Sequence, residues 1–275
     1  MPELPTVDAF RRYLIKENLI GNLITSVDVS WPRSIISPQK DLFFSMIKES
    51  RIIGIHRRGK WLFIELDKGT LGIHLRMTGS LFVIEKVDNN IPYVRTNFYL
   101  HDDRKLVLSD PRKFAKLWFG TETTELLSNL GPEPLSDSLE SHIDFRFDEF
   151  SKHFVNRNTF VKTLLLDQRV VAGIGNIYAD EILLHCGLSP FVKAAELQEI
   201  TIRAIYESIV SVLSEAIKEL DTLLGEGVLP VGNQESKNHF KLPRFKDAEC
   251  QICGSKVSWI KLNGRGTYYC DSCQK

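Results

Sequence analysis

The chain has 275 residues, 43% of them apolar and 25% charged, a length that suits two domains plus an appendage and a composition that excludes a disordered or fibrous protein. Lys+Arg and Asp+Glu are equal at 35 each, so the total charge neither supports nor excludes a polyanionic partner. The opening Met1-Pro2-Glu3-Leu4-Pro5 lacks the apolar segment of a secretory signal, and no apolar run approaches the roughly 20 residues of a membrane span. A cytosolic protein is expected.

The chain opens on a helical pattern. Val7, Phe10 and Leu14 recur at i, i+3 and i+7 with Arg11 and Arg12 turned away, and Thr6 is the expected N-cap, placing Pro2 and Glu3 just ahead of the helix. Strand-like runs follow at 24–30, 52–57, 60–66, 71–76, 80–85, 95–101, 105–109 and 113–119, broken by Arg58-Gly59, Asp67-Lys68-Gly69 and Asp102-Asp103. Short strands at this spacing predict a β-sandwich or barrel. Leu130-Gly131-Pro132-Glu133-Pro134-Leu135 cannot continue regular structure and marks a boundary. Beyond it the period becomes helical, with helices expected over 150–167, 176–186 and 199–224, then a polar loop from Gly225 to about Phe245. The reading is an α+β chain of three parts: 1–135, 136–235 and 236–275.

Charge is unevenly spread along these parts. Residues 237–275 hold eight Lys/Arg against three acids, and residues 122–149 hold eight acids against Arg146 alone. A neutral sum can hide a basic face suited to phosphate, although an uneven solvated surface gives the same count.

The last part carries the most specific pattern. Cys250-x-x-Cys253 and Cys270-x-x-Cys273 enclose 16 residues; two such tight turns complete a tetrahedral Cys₄ site for one structural Zn²⁺, which supplies the folding energy that so small a module lacks. A redox dithiol pair is the alternative and needs a βαβ context that this sequence does not offer. Between the knuckles, Lys261, Asn263, Gly264, Arg265 and Thr267 form a basic hairpin tip that suits a nucleic-acid backbone or, equally, a protein partner. Cys186, at the end of an apolar helix, reads as a buried thiol without chemistry.

Pro2 becomes a secondary amine if Met1 is removed. An α-amine titrates near pH 8, and a helix N-terminus behind it lowers that value, so a neutral fraction is available as a nucleophile. Attack on a sugar C1′ gives an iminium directly, the electron sink needed to eliminate a 3′-phosphate, and Glu3 could supply a proton. Met-Pro-Glu alone does not establish this.

Five segments occur together and in order: Met1-Pro2-Glu3-Leu4-Pro5, His74-Leu75-Arg76-Met77-Thr78-Gly79, Asp110-Pro111-Arg112-Lys113-Phe114, Gly173-Ile174-Gly175-Asn176-Ile177-Tyr178 and the Cys₄ ribbon. Along its whole length the chain resembles the bacterial formamidopyrimidine-DNA glycosylase family, with Leu4 favouring it over the related endonuclease eight branch. The resemblance implies a β-sandwich with an N-terminal helix, then a helix–two-turns–helix domain and zinc ribbon, clamping double-stranded DNA as a monomer. It implies a bifunctional glycosylase and AP lyase of base excision repair acting on oxidised purines. Pro2 would be the Schiff-base nucleophile, Glu3 the acid, Lys60 the residue of β-elimination and Arg265 that of δ-elimination. His74 and Asn176 would contact the DNA backbone, Asn176 at a helix start whose N–H groups suit phosphate. Met77, Arg112 and Phe114 would fill the gap left by a flipped nucleotide; outside their motifs, Met77 and Phe114 also fit a core and Arg112 an ion pair.

The chain departs from the family at Thr6, where a glutamate is usual, at Tyr93, where a DNA-contacting histidine is usual, and at Asn158, where many members have lysine. Residues 225–249 do not map onto a base-reading loop. These departures keep open a second reading, a clamp that binds damaged or abasic DNA without cutting it. A third, a ribbon for protein partners alone, would need negligible DNA affinity.

Overall fold

The computed structural model describes residues 2–135, 145–229 and 240–275. The expected part boundaries near 135/136 and 235/236, and the stretch Asn233–His239, lie at or outside the edges of these ranges. The chain divides into two compact units, one of Met1–Pro2, Thr6–Ser128 and Leu220–Gly232, the other of Glu3–Pro5, Asn129–Glu219 and Asn233–Lys275.

Helix α1, Leu4–Lys16, leads the chain. Its apolar stripe is as expected, with Val7, Phe10 and Leu14 fully buried, but Thr6 is not the N-cap. The helix starts at Leu4, three residues before the Val7 that such a cap implies, and Thr6 turns inward with its hydroxyl buried and lacking a hydrogen-bond partner among the described residues. Asp8, also buried, accepts from Arg11 and Arg12 at 2.8 Å each on the same helix, and these hydrogen bonds hold its carboxyl below the usual carboxylate range against the opposing effect of burial.

The first unit is built on strands β1 Leu23–Val29, β2 Ile35–Ser37, β3 Ser50–Arg58, β4 Trp61–Leu66, β5 Gly69–His74, β6 Ser80–Glu85, β7 Val94–Leu100, β8 Arg104–Ser109 and β9 Lys116–Gly120. They hydrogen-bond in the order β2-β9-β5-β4-β3-β1-β7-β8-β6. Only two residue pairs, Leu23 with Arg51 and Ile24 with Ser50, join β1 to β3. This narrow join separates the order into halves that share one apolar core: Ile64, Ile73 and Leu117 from one, Leu81, Phe98 and Leu106 from the other. The expected sandwich is present, its two halves hydrogen-bonded to each other through this corner. Strand β2 and helix α2, Lys40–Ile47, went unforeseen in a stretch punctuated by Pro32 and Pro38. Strand β9 begins at Lys116, three residues later than expected, because Lys113–Ala115 belong to a loop.

A short helix α3, Thr124–Leu127, closes this stretch. In the second unit the single helix expected over 150–167 is two, α4 Phe147–Lys152 and α5 Val161–Leu166, interrupted around Asn156 at positive φ. Helix α6, Asn176–His185, and helix α7, Glu199–Gly225, fall where expected. A core of Phe150, Val161, Leu165, Ile182, Ile205 and Ile209 joins α4 to α7. Strands β10 Ser258–Leu262 and β11 Arg265–Tyr269 form the ribbon hairpin, turned by Asn263 at φ 45° and Gly264 at φ 77°, the two left-handed residues of a tight Asn-Gly hairpin. Among the described residues no helix is long and apolar enough to cross a membrane.

Candidate functional site

The residue after Pro2 is anchored in a specific way. Glu3 is fully buried, and its carboxylate accepts from the backbone N–H of Gly175 at 2.7 Å, Ile177 at 2.9 Å and Tyr178 at 3.2 Å. These N–H groups stand at the start of α6, where no carbonyl of a preceding helical turn faces them and the helix dipole favours negative charge. The peptide N–H of Leu4 adds a bond to Gly173 O at 3.0 Å. Both glycines are required for the approach. A Cβ on Gly175 would lie 2.3 Å from Glu3 Cδ, and one on Gly173, itself at φ 93°, would lie 2.5 Å from Leu4 Cδ1. The sequence reading offered these N–H groups to a DNA phosphate; a carboxylate of the same chain occupies three of them.

Asn176 is committed differently. Its side-chain Nδ2 donates to Gly266 O in the ribbon at 2.8 Å, while Oδ1 is buried without a partner among the described residues. The same hairpin is fixed by an ion network that sequence reasoning missed. The Lys162 ammonium lies 2.6 Å from Asp180, and Arg244 lies 2.8 Å from the other oxygen of that carboxylate. Lys162 also donates to Thr267 Oγ1 at 2.8 Å and Gly266 O at 3.2 Å, and Asp180 accepts from Tyr268 N–H at 3.1 Å. Burial pushes the Lys162 ammonium down and the Asp180 carboxyl up, each offset by the partner charge. Beside them Glu181 accepts the N–H groups of Lys241 and Leu242 at 3.0 and 2.9 Å, and burial pushes its carboxyl up to about 7. Within the 225–249 stretch that could not be mapped from sequence, the described residues Lys241, Leu242 and Arg244 are thus pinned to two acids of α6. Arg265 itself opens β11 exposed, at the ribbon tip, and Asn158 is exposed between α4 and α5.

The ribbon ends in the expected cluster. The Sγ atoms of Cys250, Cys253, Cys270 and Cys273 all lie within 4.8 Å of one another, with Cys253 to Cys270 at 3.4 Å and Cys250 to Cys273 at 4.0 Å. A tetrahedral zinc with bonds of about 2.3 Å requires sulfur separations of roughly 3.8 Å, and this donor set fits it. Both knuckles close alike, Gly254 N–H onto Cys250 O at 2.8 Å and Gln274 N–H onto Cys270 O at 3.0 Å. The four thiolates hold one structural zinc ion and leave no open coordination position, so its role is to fold the ribbon. Cys186 lies apart, half-buried at the end of α6, its thiol pushed up to about 11 by burial.

In the first unit Lys60 sits in the two-residue turn between β3 and β4, with Gly59 at φ 55°. His74 closes β5, its ring edge-on to Trp61 at 4.9 Å. Its Nδ1 accepts from Arg76 N–H at 3.0 Å, while burial, then the charges of Arg76 and Lys60, push it down to about 3. The ring is therefore neutral at physiological pH, and its remaining Nε2–H is a donor rather than a cation. Met77, Tyr93 and Phe114 are among the exposed large hydrophobics, at 41%, 59% and 45%. Neither Met77 nor Phe114 is a core residue. Arg112 is exposed too, with its guanidinium 4.8 Å from the centre of the Phe114 ring. The first unit thus carries Pro2, Lys60, His74, Met77, Tyr93, Arg112 and Phe114, and the second carries Glu3, Asn158, Asn176, Arg265 and the cysteines.

A strand-rich unit presenting an exposed arginine–aromatic loop, and a helical unit ending in a zinc ribbon, define a zinc-ribbon protein of the helix–two-turns–helix class. Family models agree segment by segment: the formamidopyrimidine-DNA glycosylase N-terminal domain over residues 1–117, its H2TH domain over 130–224, and the zinc finger found in FPG and IleRS over 249–275. The chain is 34% identical to the formamidopyrimidine-DNA glycosylase of Listeria monocytogenes across all of both chains, and 36% identical to that of Bacillus subtilis across all of this chain and 99% of the relative. Lactococcus lactis formamidopyrimidine-DNA glycosylase is similar in structure. Its complex with DNA containing an AP site matches with a TM-score of 0.84 at 28% identity over 99% of each chain. Its complex with DNA containing Fapy-dG matches with a TM-score of 0.86 at 29% identity, over 99% of this chain and all of that one. The chain belongs to the formamidopyrimidine-DNA glycosylase family and is a DNA glycosylase of base excision repair, in a family that couples base removal to AP lyase activity.

Proposed function

We propose that this chain excises oxidised purines such as 8-oxoguanine and formamidopyrimidines from double-stranded DNA and then cleaves the strand by β,δ-elimination. With Met1 removed, the Pro2 nitrogen attacks C1′ of the damaged nucleotide. The C1′–N bond to the base breaks, the base leaves with a proton, and the ring-opened sugar is held as an iminium on Pro2. Loss of a C2′ proton, with Lys60 in attendance, expels the 3′-phosphate. A second elimination, with Arg265 on the phosphate, releases the 5′ side, and water frees Pro2. Glu3 is the acid beside the nucleophile. His74, Asn158, Asn176 and Tyr93 contact the DNA, and Met77, Arg112 and Phe114 fill the space of the extruded nucleotide. The functional parts are 1–135, 136–235 and 236–275, working as a monomer in the bacterial cytosol and nucleoid.

One observation carries this reading: Glu3 is tied by three N–H donors to the start of α6. That tether fixes the peptide following the proline and so preorganises the nucleophile, which a merely DNA-binding chain has no need to do. Borohydride reduction should trap a covalent adduct with abasic-site duplex. Pro2→Gly should abolish the adduct, and mass spectrometry of the purified chain should show Met1 absent.

A second reading, a clamp that binds damaged or abasic DNA without cleaving it, draws on Thr6. Its buried hydroxyl has no partner among the described residues and stands where the family usually keeps a carboxylate. Tight abasic-DNA binding with no reducible adduct and no strand cleavage would decide for that reading.

A further inference from the structure

The two loops that carry Met77, Arg112 and Phe114 run side by side because of the sheet order. Strands β5 and β9 are neighbours, with His74 opposite Lys116, and β6 and β8 are neighbours, with Ser80 opposite Ser109. The connections 75–79 and 110–115 therefore cross together from one half of the sheet to the other. Loops are poorly held by sheet hydrogen bonds, and these two expose large apolar tips, so something else must fix them.

Asp110 is fully buried, and its carboxylate gathers donors from both loops. Oδ1 accepts from the Thr78 hydroxyl in the first loop and from Arg112 N–H at 3.2 Å in the second. Oδ2 accepts from Phe114 N–H at 2.6 Å and Ala115 N–H at 2.8 Å. The backbone of Asp110 extends the arrangement to a third segment, its N–H donating to Tyr93 O at 3.0 Å and its carbonyl accepting from Arg95 Nε at 2.8 Å. Backbone strain accompanies it: Arg76, Tyr93 and Lys113 all hold positive φ near 57–60°, a conformation that persists in such residues only when surrounding contacts enforce it. Gly79, whose added Cβ would lie 2.6 Å from Leu75 O, closes the first loop. Each Asp110 oxygen thus serves a residue adjacent to, or within, the exposed set.

We propose that Asp110 is the positioning residue of the helix-filling wedge: its single buried carboxylate sets Met77, Arg112 and Phe114 in register, so that they enter the DNA stack as one rigid unit. The proposal rests on the reading of these side chains as gap fillers given above. Buried charge-assisted bonds are strong and the cost of leaving their donors unmet is large, whereas a wedge that must order itself on binding loses entropy at the step where it is needed.

The test is the ratio of trapping rates on two abasic substrates, a paired duplex and a single strand, since only the duplex has a stack to fill. Asp110→Asn keeps size and removes the charge and part of the acceptor capacity; Thr78→Val removes only the bond that ties the first loop. The duplex-to-single-strand ratio should fall roughly tenfold or more for Asp110→Asn, and less, in the same direction, for Thr78→Val. A 2-aminopurine opposite the abasic position should report slower or smaller unstacking in both. If Asp110→Asn does not fold cooperatively, Thr78→Val decides alone. Ratios within twofold of wild type, or rates that fall in parallel on both substrates, overturn the proposal. Wild-type protein that traps neither substrate defeats the enzymatic reading instead, and the 2-aminopurine signal then still tests the wedge.

Discussion

Two buried acids, Asp110 in the first unit and Asp180 in the second, do similar work with opposite chemistry. The Asp110 carboxylate takes three backbone N–H groups and one hydroxyl, so among the described residues no cation is paired with that carboxylate, and the loops it organises are short. Asp180 holds two full cations, Lys162 and Arg244, and through them a hairpin about ninety residues distant in sequence. Local backbone capture suits a rigid tip. Long-range ion capture suits attaching a metal-folded module that has little core of its own. The difference teaches that the wedge depends on one side chain, whereas the ribbon depends on a network and on zinc.

The largest expected effect breaks the ribbon side. Removing zinc with a strong chelator, or substituting Cys253→Ser, should unfold residues 250–275, because structural zinc in such small modules contributes on the order of 10 kcal/mol. Duplex affinity should drop by two orders of magnitude or more while amide exchange in the strands of the first unit stays slow. Fast exchange throughout both units would show that the ribbon is not a separate dependency.

Next comes the network. Asp180→Ala leaves two buried cations without their carboxylate and should cost about 3–5 kcal/mol of stability, read as a lowered denaturation midpoint. Replacing Lys162 and Asp180 together by Met and Leu should recover the Lys162 share of that loss, since an apolar pair of similar volume avoids the desolvation penalty, while Arg244 stays without its carboxylate. If the double variant is as unstable as the single, attraction rather than avoided desolvation dominates.

The glycine turn tests the anchoring of the amino terminus. Gly175→Ala places a Cβ 2.3 Å from Glu3 Cδ and should cost about 1–3 kcal/mol through overpacking. It should slow adduct formation more than it weakens binding of an uncleavable abasic analogue.

How much of this was legible in the sequence follows the same division. Residues whose part depends on type and near neighbours, such as the four cysteines and the ribbon hairpin tip at Asn263-Gly264, could be picked out directly. Lys162 and Asp180 could not, because each stands on a helix like any solvated charge and their pairing exists only once α5 packs on α6. The break of the 150–167 helix turned on Asn156 at positive φ, which an apolar period cannot register. The amides at the start of α6 were read as a phosphate site because their true partner lies more than 170 positions away, at Glu3.

At neutral pH the smallest expected effect is that of His74, and its growth on acidification is a matter of sign. Its folded pKa is depressed to about 3 by burial and by the charges of Arg76 and Lys60, against about 6.5 in the unfolded chain. Above pH 6.5 both states are neutral and the ring adds nothing to the pH dependence. Below it the unfolded chain takes a proton that the folded chain refuses, so stability should decline from pH 6.5 toward 3. His74→Gln removes the titrating group, and the difference in melting temperature between variant and wild type should move in the variant's favour as pH falls through that window. Glu181, raised to about 7, has the opposite slope, favouring the folded state as pH falls from 7 toward 4.5, and it cancels in the wild-type minus variant comparison. A difference that stays flat between pH 6.5 and 4 would mean that His74 is protonated in the folded protein. It would then meet DNA as a cation, and the salt dependence of binding would steepen by about one unit of slope at low pH.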